Sequence, residues 1–193
     1  HAYIANSDPS GYEFFRARFP SGHVDEINWW SPRAVRPLTT ALASGSVFFL
    51  RLTRPHGAIV GYGFFAGFVP MRVDLAWEAF EQRNGADDLA HFFQRVGRLR
   101  RESLDARAGA DLPSIGCHLL RDVRYWPRER WIPWGDAEGF HRNTVQGLTE
   151  RDPHRLARLA AAIQQDGARA PEDLAPHFTP IESDERIVRA VEV

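Results

Sequence analysis

The sequence contains no lysine, and all 24 of its basic residues are arginines. This absence excludes the sites that depend on a lysine, namely the Walker phosphate-binding loop, the Schiff base and the Ser-Lys dyad. It also excludes the common nuclease core in which acidic residues act together with a lysine. Catalysis, if the chain has any, must therefore use other residue types.

Cysteine and long apolar runs are scarce as well. Cys117 is the single cysteine, which excludes an internal disulfide and fits a reducing, cytoplasmic setting. No apolar run approaches the roughly 20 residues of a membrane-spanning helix, so no membrane partner is expected. The eight histidines show no paired spacing with cysteine or carboxylates. The sequence therefore predicts no metal site and no cofactor.

Acidic residues are missing from residues 27–73, an interval that contains five arginines. The net charge of -1 argues against indiscriminate binding of nucleic acid. An arginine-only interval is nevertheless a candidate phosphate-facing surface, with Arg33 and Arg36 close to the adjacent tryptophans Trp29 and Trp30. Arg142 and Asn143 form a second polar segment of the type that clamps phosphates or reads base edges. The alternatives are a solvated face for the first segment and a polar turn for the second.

Two adjacent tryptophans stand at the end of a predicted strand, in Asn28-Trp29-Trp30-Ser31. Neighbouring side chains of a strand point to opposite faces, so one indole can be buried while the other faces a ligand. An outward indole beside Asn28, Ser31 and Arg33 is suited to hold a flat ring with polar edges, such as a nucleobase. The alternative is a pair of core tryptophans, and the sequence leaves open which of the two faces the pocket.

Glycines alternate with aromatic residues in Gly61-Tyr62-Gly63-Phe64. Glycine inside a strand marks a bulge or the close approach of another group. Tyr62 or Phe64 is therefore a candidate second wall of a ring-binding slot opposite Trp30. The alternative is a barrel strand whose aromatic side chains fill the core.

Predicted strands dominate the middle of the chain, and helices are inserted between them. The residue pattern predicts strands over residues 3–5, 24–30, 46–52, 58–68 and 115–126, and helices beginning at Pro9 and over residues 75–83, 87–104 and 153–163. These elements indicate an α+β fold, a small curved sheet or open β-barrel with flanking helices. One domain over residues 1–165 is expected to be followed by an acidic linker over residues 166–193, which holds seven acids against three arginines.

Several segments occur in a characteristic order: Asn6-Ser7-Asp8-Pro9, Asn28-Trp29-Trp30-Ser31-Pro32, Gly61-Tyr62-Gly63-Phe64-Phe65, Ala76-Trp77-Glu78-Ala79-Phe80, Asn84-Gly85, Trp131-Ile132-Pro133 and Asn143-Thr144-Val145-Gln146-Gly147. This series, spread over roughly residues 2–165, resembles the N-terminal domain of modification-dependent HNH restriction endonucleases. Those domains belong to the PUA superfamily, together with the EVE, SRA and YTH readers. The chain departs from the family at Leu148, where a basic residue usually follows the Gln-Gly pair.

The resemblance implies a PUA-like (EVE/SRA-like) domain that reads modified DNA by base flipping. Such a domain moves 5-methyl- or 5-hydroxymethylcytosine out of double-stranded DNA into an aromatic pocket, at a cost of a few kcal/mol of unstacking. The implied base pocket contains Asn28, Trp29, Trp30, Ser31, Tyr62 and Phe64, and the implied DNA-backbone contacts are Arg33, Arg36, Arg142, Asn143 and Gln146.

The resemblance also implies that DNA recognition and DNA cleavage belong to separate domains of a longer protein. The linker over residues 166–193 would lead to an HNH nuclease domain in the full-length chain, and the reader domain itself would have no catalytic activity. A homodimer stays open as a further partner.

Two other functions are consistent with the residues. One is an RNA-binding domain or modified-RNA reader of the same superfamily. The other is a small enzyme that uses carboxylates such as Asp25 and Glu26. Comparing the binding of DNA and RNA of one sequence separates the first from a DNA reader, and metal-independent turnover would support the second.

Overall fold

The computed structural model describes residues 1–34, 42–104, 111–141, 144 and 146–167. Within this part, the chain forms an α+β fold of seven strands and four α-helices. The elements follow in the order β1 (Ala2–Ser7), α1 (Pro9–Arg18), β2 (His23–Ser31), β3 (Val47–Leu52), β4 (Ala58–Arg72), α2 (Val73–Phe80), α3 (Leu89–Arg100), β5 (Ser114–Tyr125), β6 (Ile132–Pro133), β7 (Gly147–Glu150) and α4 (Pro153–Gln164).

The strands form one mixed sheet in the order β2-β5-β4-β3-β1-β7, and the short β6 pairs with β4. β1 runs parallel to β3, while the other pairs are antiparallel. The sheet is open, with β2 and β7 at its two edges. The indole Nε1 of Trp29 on β2 donates to Oγ of Ser7 on β1 at 3.0 Å. This contact brings the edge strand β2 alongside the end of β1, and the site described below lies at this junction.

The sheet is buried on both faces, as β3 illustrates. All six of its residues are buried, and alternate side chains enter different clusters. Phe48 and Leu50 join the cluster that includes Phe15 of α1. Val47 and Phe49 join the cluster that α4 covers. A third cluster lies between α2, α3 and the paired ends of β4 and β5.

Side-chain capping marks where α1 and α4 begin. Asp8 accepts a hydrogen bond from the Ser10 backbone N–H and Pro9 occupies the first turn of α1, as the sequence predicts. Asp152 caps α4 in the same way, accepting from Arg155 N at 2.9 Å. The predicted helix over residues 75–83 is instead α2 followed by a 3-10 turn, because Glu81 adopts a positive φ of 44° that interrupts the α-helix.

Asp166 ties the end of α4 to the body of the domain. Its Oδ2 accepts from Trp126 Nε1 at 2.8 Å, and its Oδ1 pairs with Arg130. The folded body therefore includes the first residue of the predicted linker. Residues 168–193 lie outside the described residues, so the linker stays a prediction.

Candidate functional site

A cavity of about 700 Å³ lies where the edge strand β2 approaches the β1–α1 junction. Its walls come from the end of β1, the first turns of α1, the end of β2, the 3-10 turn after α2 and the exposed end of α3. Of the predicted base-pocket residues, it is lined by Asn28, Trp29, Trp30 and Ser31. Arg33 and Gln146, predicted to contact the DNA backbone, also line it.

Trp29 is held rigidly on one side of β2. Besides the hydrogen bond to Ser7, its ring makes edge contacts with Phe48 and His118, at centroid distances of 5.2 and 4.9 Å. The His118 ring nitrogen Nδ1 lies 3.1 Å from the Trp29 carbonyl oxygen. Both the backbone and the side chain of Trp29 are therefore fixed before any ligand binds.

Trp30 is held on the other side of β2. Its Nε1 donates to the Asn84 carbonyl at 3.0 Å, and its ring meets the Phe92 ring edge-on at 5.5 Å. The Arg95 guanidinium carbon lies 5.4 Å from the Trp30 ring centroid, which is within cation–π range. Trp30 is thus partly a structural residue of the α3 cluster.

Both tryptophans line the cavity, whereas the alternation argument allowed only one of them to face it. The alternation itself is confirmed, since Trp29 packs with the α1 cluster and Trp30 with the α3 cluster. Both indoles nevertheless line the cavity at the end of β2, which is an edge strand of the sheet.

Asn84 and Asn28 form a buried relay of amide groups behind the tryptophans. Asn84 Nδ2 donates to the carbonyls of Ala76 and Glu81, at 3.0 and 2.9 Å. These two bonds orient Asn84 Oδ1 toward Asn28, whose Nδ2 donates to it at 2.8 Å. The remaining atom, Asn28 Oδ1, is a buried acceptor without a hydrogen-bond partner. Buried polar groups are normally paired, so this oxygen is expected to accept a hydrogen bond from a donor outside the described contacts.

Arginines surround the mouth of the cavity. Arg95 and Arg98 of α3 both reach Oδ2 of Asp8, at 3.5 and 2.8 Å. Burial raises the pKa of Asp8, but the Ser10 hydrogen bonds and the two arginines outweigh it, so the pKa lies below its ordinary value. The carboxylate is therefore ionised, and it orders the arginines of α3. Arg33 is exposed at the same mouth.

The structure does not bring Tyr62 and Phe64 to the cavity. Tyr62 is buried against Trp126 and Phe49, and Phe64 packs edge-on to Tyr62, in the cluster that α4 covers. The register of the β3–β4 ladder shifts where the partners change from Leu50–Gly61 to Arg51–Ile59. This shift changes the face of the sheet on which the β4 side chains beyond it lie. The second aromatic wall predicted opposite Trp30 is thus not formed by these residues, and their place is in the core.

The other predicted contacts divide between described and undescribed residues. Gln146 accepts a hydrogen bond at its carbonyl from Asn6 N at 2.7 Å, which holds it beside β1. Ser31 Oγ donates to the Arg33 carbonyl at 3.0 Å and so shapes the exit from β2. Arg36, Arg142 and Asn143 lie outside the described residues.

Sequence reasoning missed several residues that complete the cavity. Asn84 appears in the sequence as the Asn-Gly signal that ends a helix, and its role as a buried relay depends on tertiary contacts. Arg95 and Leu99 recur at helical spacing with Phe92 on α3, but nothing in that spacing indicates that this face borders β2. Ser7 was noticed only within the family resemblance.

The carboxylates Asp25 and Glu26 do not form an acid–base pair in the cavity. Asp25 is almost fully exposed. Glu26 is nearly buried and pairs with Arg83 at 2.9 Å and with Arg121 at 3.7 Å. In the described ranges, no group of three or more histidine, cysteine or acidic side chains is placed to hold a metal ion.

Cys117 and His118 on β5 are buried and uncharged at neutral pH. Burial raises the pKa of the Cys117 thiol to about 12, so it is not a thiolate. Burial lowers the pKa of His118 to about 4, against weaker hydrogen bonds to Trp29 and Gly116. Neither group has the pKa near neutrality that nucleophilic or general-base catalysis requires.

No helix in the part of the chain that the structure describes is both long and apolar enough to cross a membrane. No protein-family model matches the sequence. No curated protein matches it either.

Similar solved structures come from an ASCH protein of Zymomonas mobilis. A tyrosine-to-phenylalanine mutant has a TM-score of 0.51 at 13% identity, covering 83% of this chain and 96% of that chain. A serine-to-alanine mutant has a TM-score of 0.50 at 15% identity, covering 83% and 94%. At such identities the similarity concerns the fold. It confirms the predicted α+β architecture, and the chain has an ASCH/PUA-like fold.

Proposed function

We propose that this domain binds nucleic acid by holding one unstacked base in the cavity between β2 and the β1–α1 junction. The observation that carries the proposal is the pair of tryptophans, Trp29 and Trp30, both fixed by indole hydrogen bonds and both lining one cavity. A volume of about 700 Å³ falls in the range of small-molecule sites and accommodates a nucleotide.

The chemistry of the cavity walls suits a base rather than a purely apolar ligand. Indoles contribute about 1–3 kcal/mol for each base they stack. Amide and hydroxyl side chains of Asn6, Ser7, Asn28 and Gln146 stand among them. Because the indoles are already fixed, little ordering of side chains accompanies binding, and the affinity retains more of the contact energy.

The target we propose is a modified cytosine, 5-methyl- or 5-hydroxymethylcytosine, in double-stranded DNA. The buried acceptor Asn28 Oδ1 complements the exocyclic amino group of cytosine. A 5-methyl group adds only about 0.8 kcal/mol when buried, so the fixed walls must supply the selectivity. The resemblance to readers of modification-dependent HNH endonucleases supports the same target, and the full-length protein would then supply the nuclease.

We propose further that the described domain has no catalytic activity of its own. Glu26 is engaged by arginines outside the cavity, and Asp25 projects into solvent. The pKa values of Cys117 and His118 are displaced away from neutrality by burial. The carboxylate that does line the cavity, Asp8, is paired with Arg95 and Arg98, and its lowered pKa makes it a weak base.

A binding screen tests the proposal. The probes are matched duplexes that carry cytosine, 5-methylcytosine, 5-hydroxymethylcytosine or N6-methyladenine at one central position, together with RNA of the same sequence. We expect the tightest binding to a duplex with a modified cytosine. Equal affinity for all the DNA duplexes would contradict selective reading, and tighter binding of RNA would favour an RNA-side reader.

A further inference from the structure

Leu99 is the one large apolar side chain that stays exposed among the residues that the structure describes, with 43% of its surface accessible. A single exposed leucine is ordinary on a protein surface. Leu99, however, lines the mouth of the candidate base cavity. Its exposure therefore coincides with the place where a nucleic acid would approach.

The position of Leu99 is set by the face of α3 that meets β2. Phe92, Arg95 and Leu99 recur at helical spacing on this face. Phe92 touches the edge of Trp30, Arg95 lies over the Trp30 ring, and Leu99 is the next side chain along the same stripe. Arg100 Nη1 donates to the Pro32 carbonyl at 2.7 Å and ties the end of α3 to the exit of β2. These contacts hold the end of α3 that carries Leu99 in place against β2.

Exposed arginines flank Leu99. Arg98 and Arg101 adjoin it on and just after α3, and Arg33 stands across the cavity mouth. The nearby acids Asp8 and Glu102 are engaged with arginines of α3. An apolar tip surrounded by positive charge complements a polyanion whose interior is apolar, and duplex nucleic acid has both properties.

We propose that Leu99 is a wedge that enters the base stack of duplex DNA at the point where the target nucleotide leaves it. Arg33 and Arg101 would hold the phosphates on either side, with Arg98 held beside them by its ion pair with Asp8. Apolar wedges, leucine among them, unstack base steps in other DNA-binding proteins. This inference rests on the proposed function, because a wedge is needed only if a base is extruded from a duplex into the cavity.

The test compares the wild-type chain with Leu99→Ala and with the conservative variant Leu99→Met. Three probes are used: a duplex with one central 5-methylcytosine, the same duplex with an abasic site opposite that base, and the single strand alone. We expect Leu99→Ala to weaken binding of the paired duplex by about tenfold. Binding of the single strand should not change, the abasic duplex should be less affected than the paired one, and Leu99→Met should resemble the wild type. Thermal unfolding of each variant verifies the fold.

Each contrary outcome has a defined meaning. Unchanged duplex binding by Leu99→Ala, or an equal loss on duplex and single strand, overturns the wedge. A wild-type chain that binds the single strand but not the duplex also overturns it, while the base cavity stands. A wild-type chain that binds none of the probes overturns both the wedge and the proposed function.

Discussion

Replacing Asn28 by alanine removes a buried acceptor, Asn28 Oδ1, that lacks a hydrogen-bond partner and belongs to a residue lining the cavity. Because Asn84 Nδ2 donates to two backbone carbonyls, Asn84 must present its Oδ1 to Asn28. Asn28 then turns its own Oδ1 away from Asn84, and we propose that this oxygen accepts a hydrogen bond from the base in the cavity. The orientation of the amide group is thus fixed by hydrogen bonding, and its unpaired atom is an acceptor rather than a donor.

The acceptor distinguishes 5-methylcytosine from thymine, which carry the same methyl group. Cytosine presents an amino donor where thymine presents a carbonyl oxygen. A thymine in the cavity would leave Asn28 Oδ1 unpaired and facing another acceptor. An unpaired buried polar group costs about 1–3 kcal/mol, so the wild type should prefer 5-methylcytosine roughly 5–150-fold. Asn28→Ala should lose most of this preference.

The same substitution has a predictable effect on stability. It removes the donor to Asn84 Oδ1 and leaves that buried oxygen unpaired. We expect the free energy of unfolding to fall by about 1–3 kcal/mol. For a domain of this size, the melting temperature should decrease by about 2–12 °C.

Asn6→Ala is the matched control. Asn6 also lines the cavity, but its Nδ2 donates to the Thr144 carbonyl and its Oδ1 accepts from Arg51, each at 2.7 Å. Both polar atoms of its amide are hydrogen-bonded within the protein, so alanine should cost stability without changing the preference between the two bases.

Competition binding with fluorescence anisotropy is the assay for both variants. The target base is placed opposite an abasic site in each duplex, so that differences in base pairing do not contribute. If Asn28→Ala keeps the wild-type preference for 5-methylcytosine over thymine, or if Asn6→Ala loses it, the assigned role of Asn28 Oδ1 is wrong.

Three further predictions concern charge, pH and catalysis. Arg33→Ala should weaken binding of modified and unmodified duplexes alike and reduce the slope of log affinity against log salt concentration by about one unit. Arg151→Ala, at an exposed position just before α4, is the control and should have neither effect. A loss of binding confined to the modified duplex would argue against a phosphate contact. Because the pKa of His118 falls from 6.5 to about 4 on folding, the unfolded chain binds the proton more readily in this window. The contribution of His118 to the free energy of unfolding should be fully present above pH 6.5 and should decrease by about 3 kcal/mol as the pH falls to 4. Chemical denaturation at several pH values should show a weaker pH dependence for His118→Gln than for the wild type. Equal pH dependence of the two proteins would refute this. The purified chain should not nick a modified plasmid with magnesium, manganese or zinc, and metal-dependent nicking that survives repurification would identify an enzyme.

The fold was predictable because its signals are local. Asp8 and Asp152 precede prolines at helix starts, and the β-branched and aromatic runs of β3, β4 and β5 mark buried strands. The C-terminal boundary of α2 was harder to predict from the sequence. The helix ends at Glu81, which adopts a positive φ, and no glycine or proline stands there as a signal.

Most of the site that was predictable follows one strand, and Arg33 and Gln146 are the predicted cavity residues outside it. Asn28, Trp29, Trp30 and Ser31 share β2, and the sequence groups them. Asn84 and Arg95 reach the cavity through tertiary packing, for which the sequence has no pattern. Tyr62 was misplaced because a register shift between β3 and β4 changes which face its strand presents, and such a bulge cannot be located from glycine spacing alone.

The most direct test of the central claim follows the indole N–H resonances of the six tryptophans during titration with a duplex that carries one 5-methylcytosine. Trp29→Phe and Trp30→Phe assign the two cavity signals. We predict that these two resonances shift on binding, while those of Trp126 and Trp134, in the cluster under α4, stay unchanged. Binding that shifts Trp126 or Trp134 and leaves both cavity resonances in place would contradict a base-binding cavity at β2.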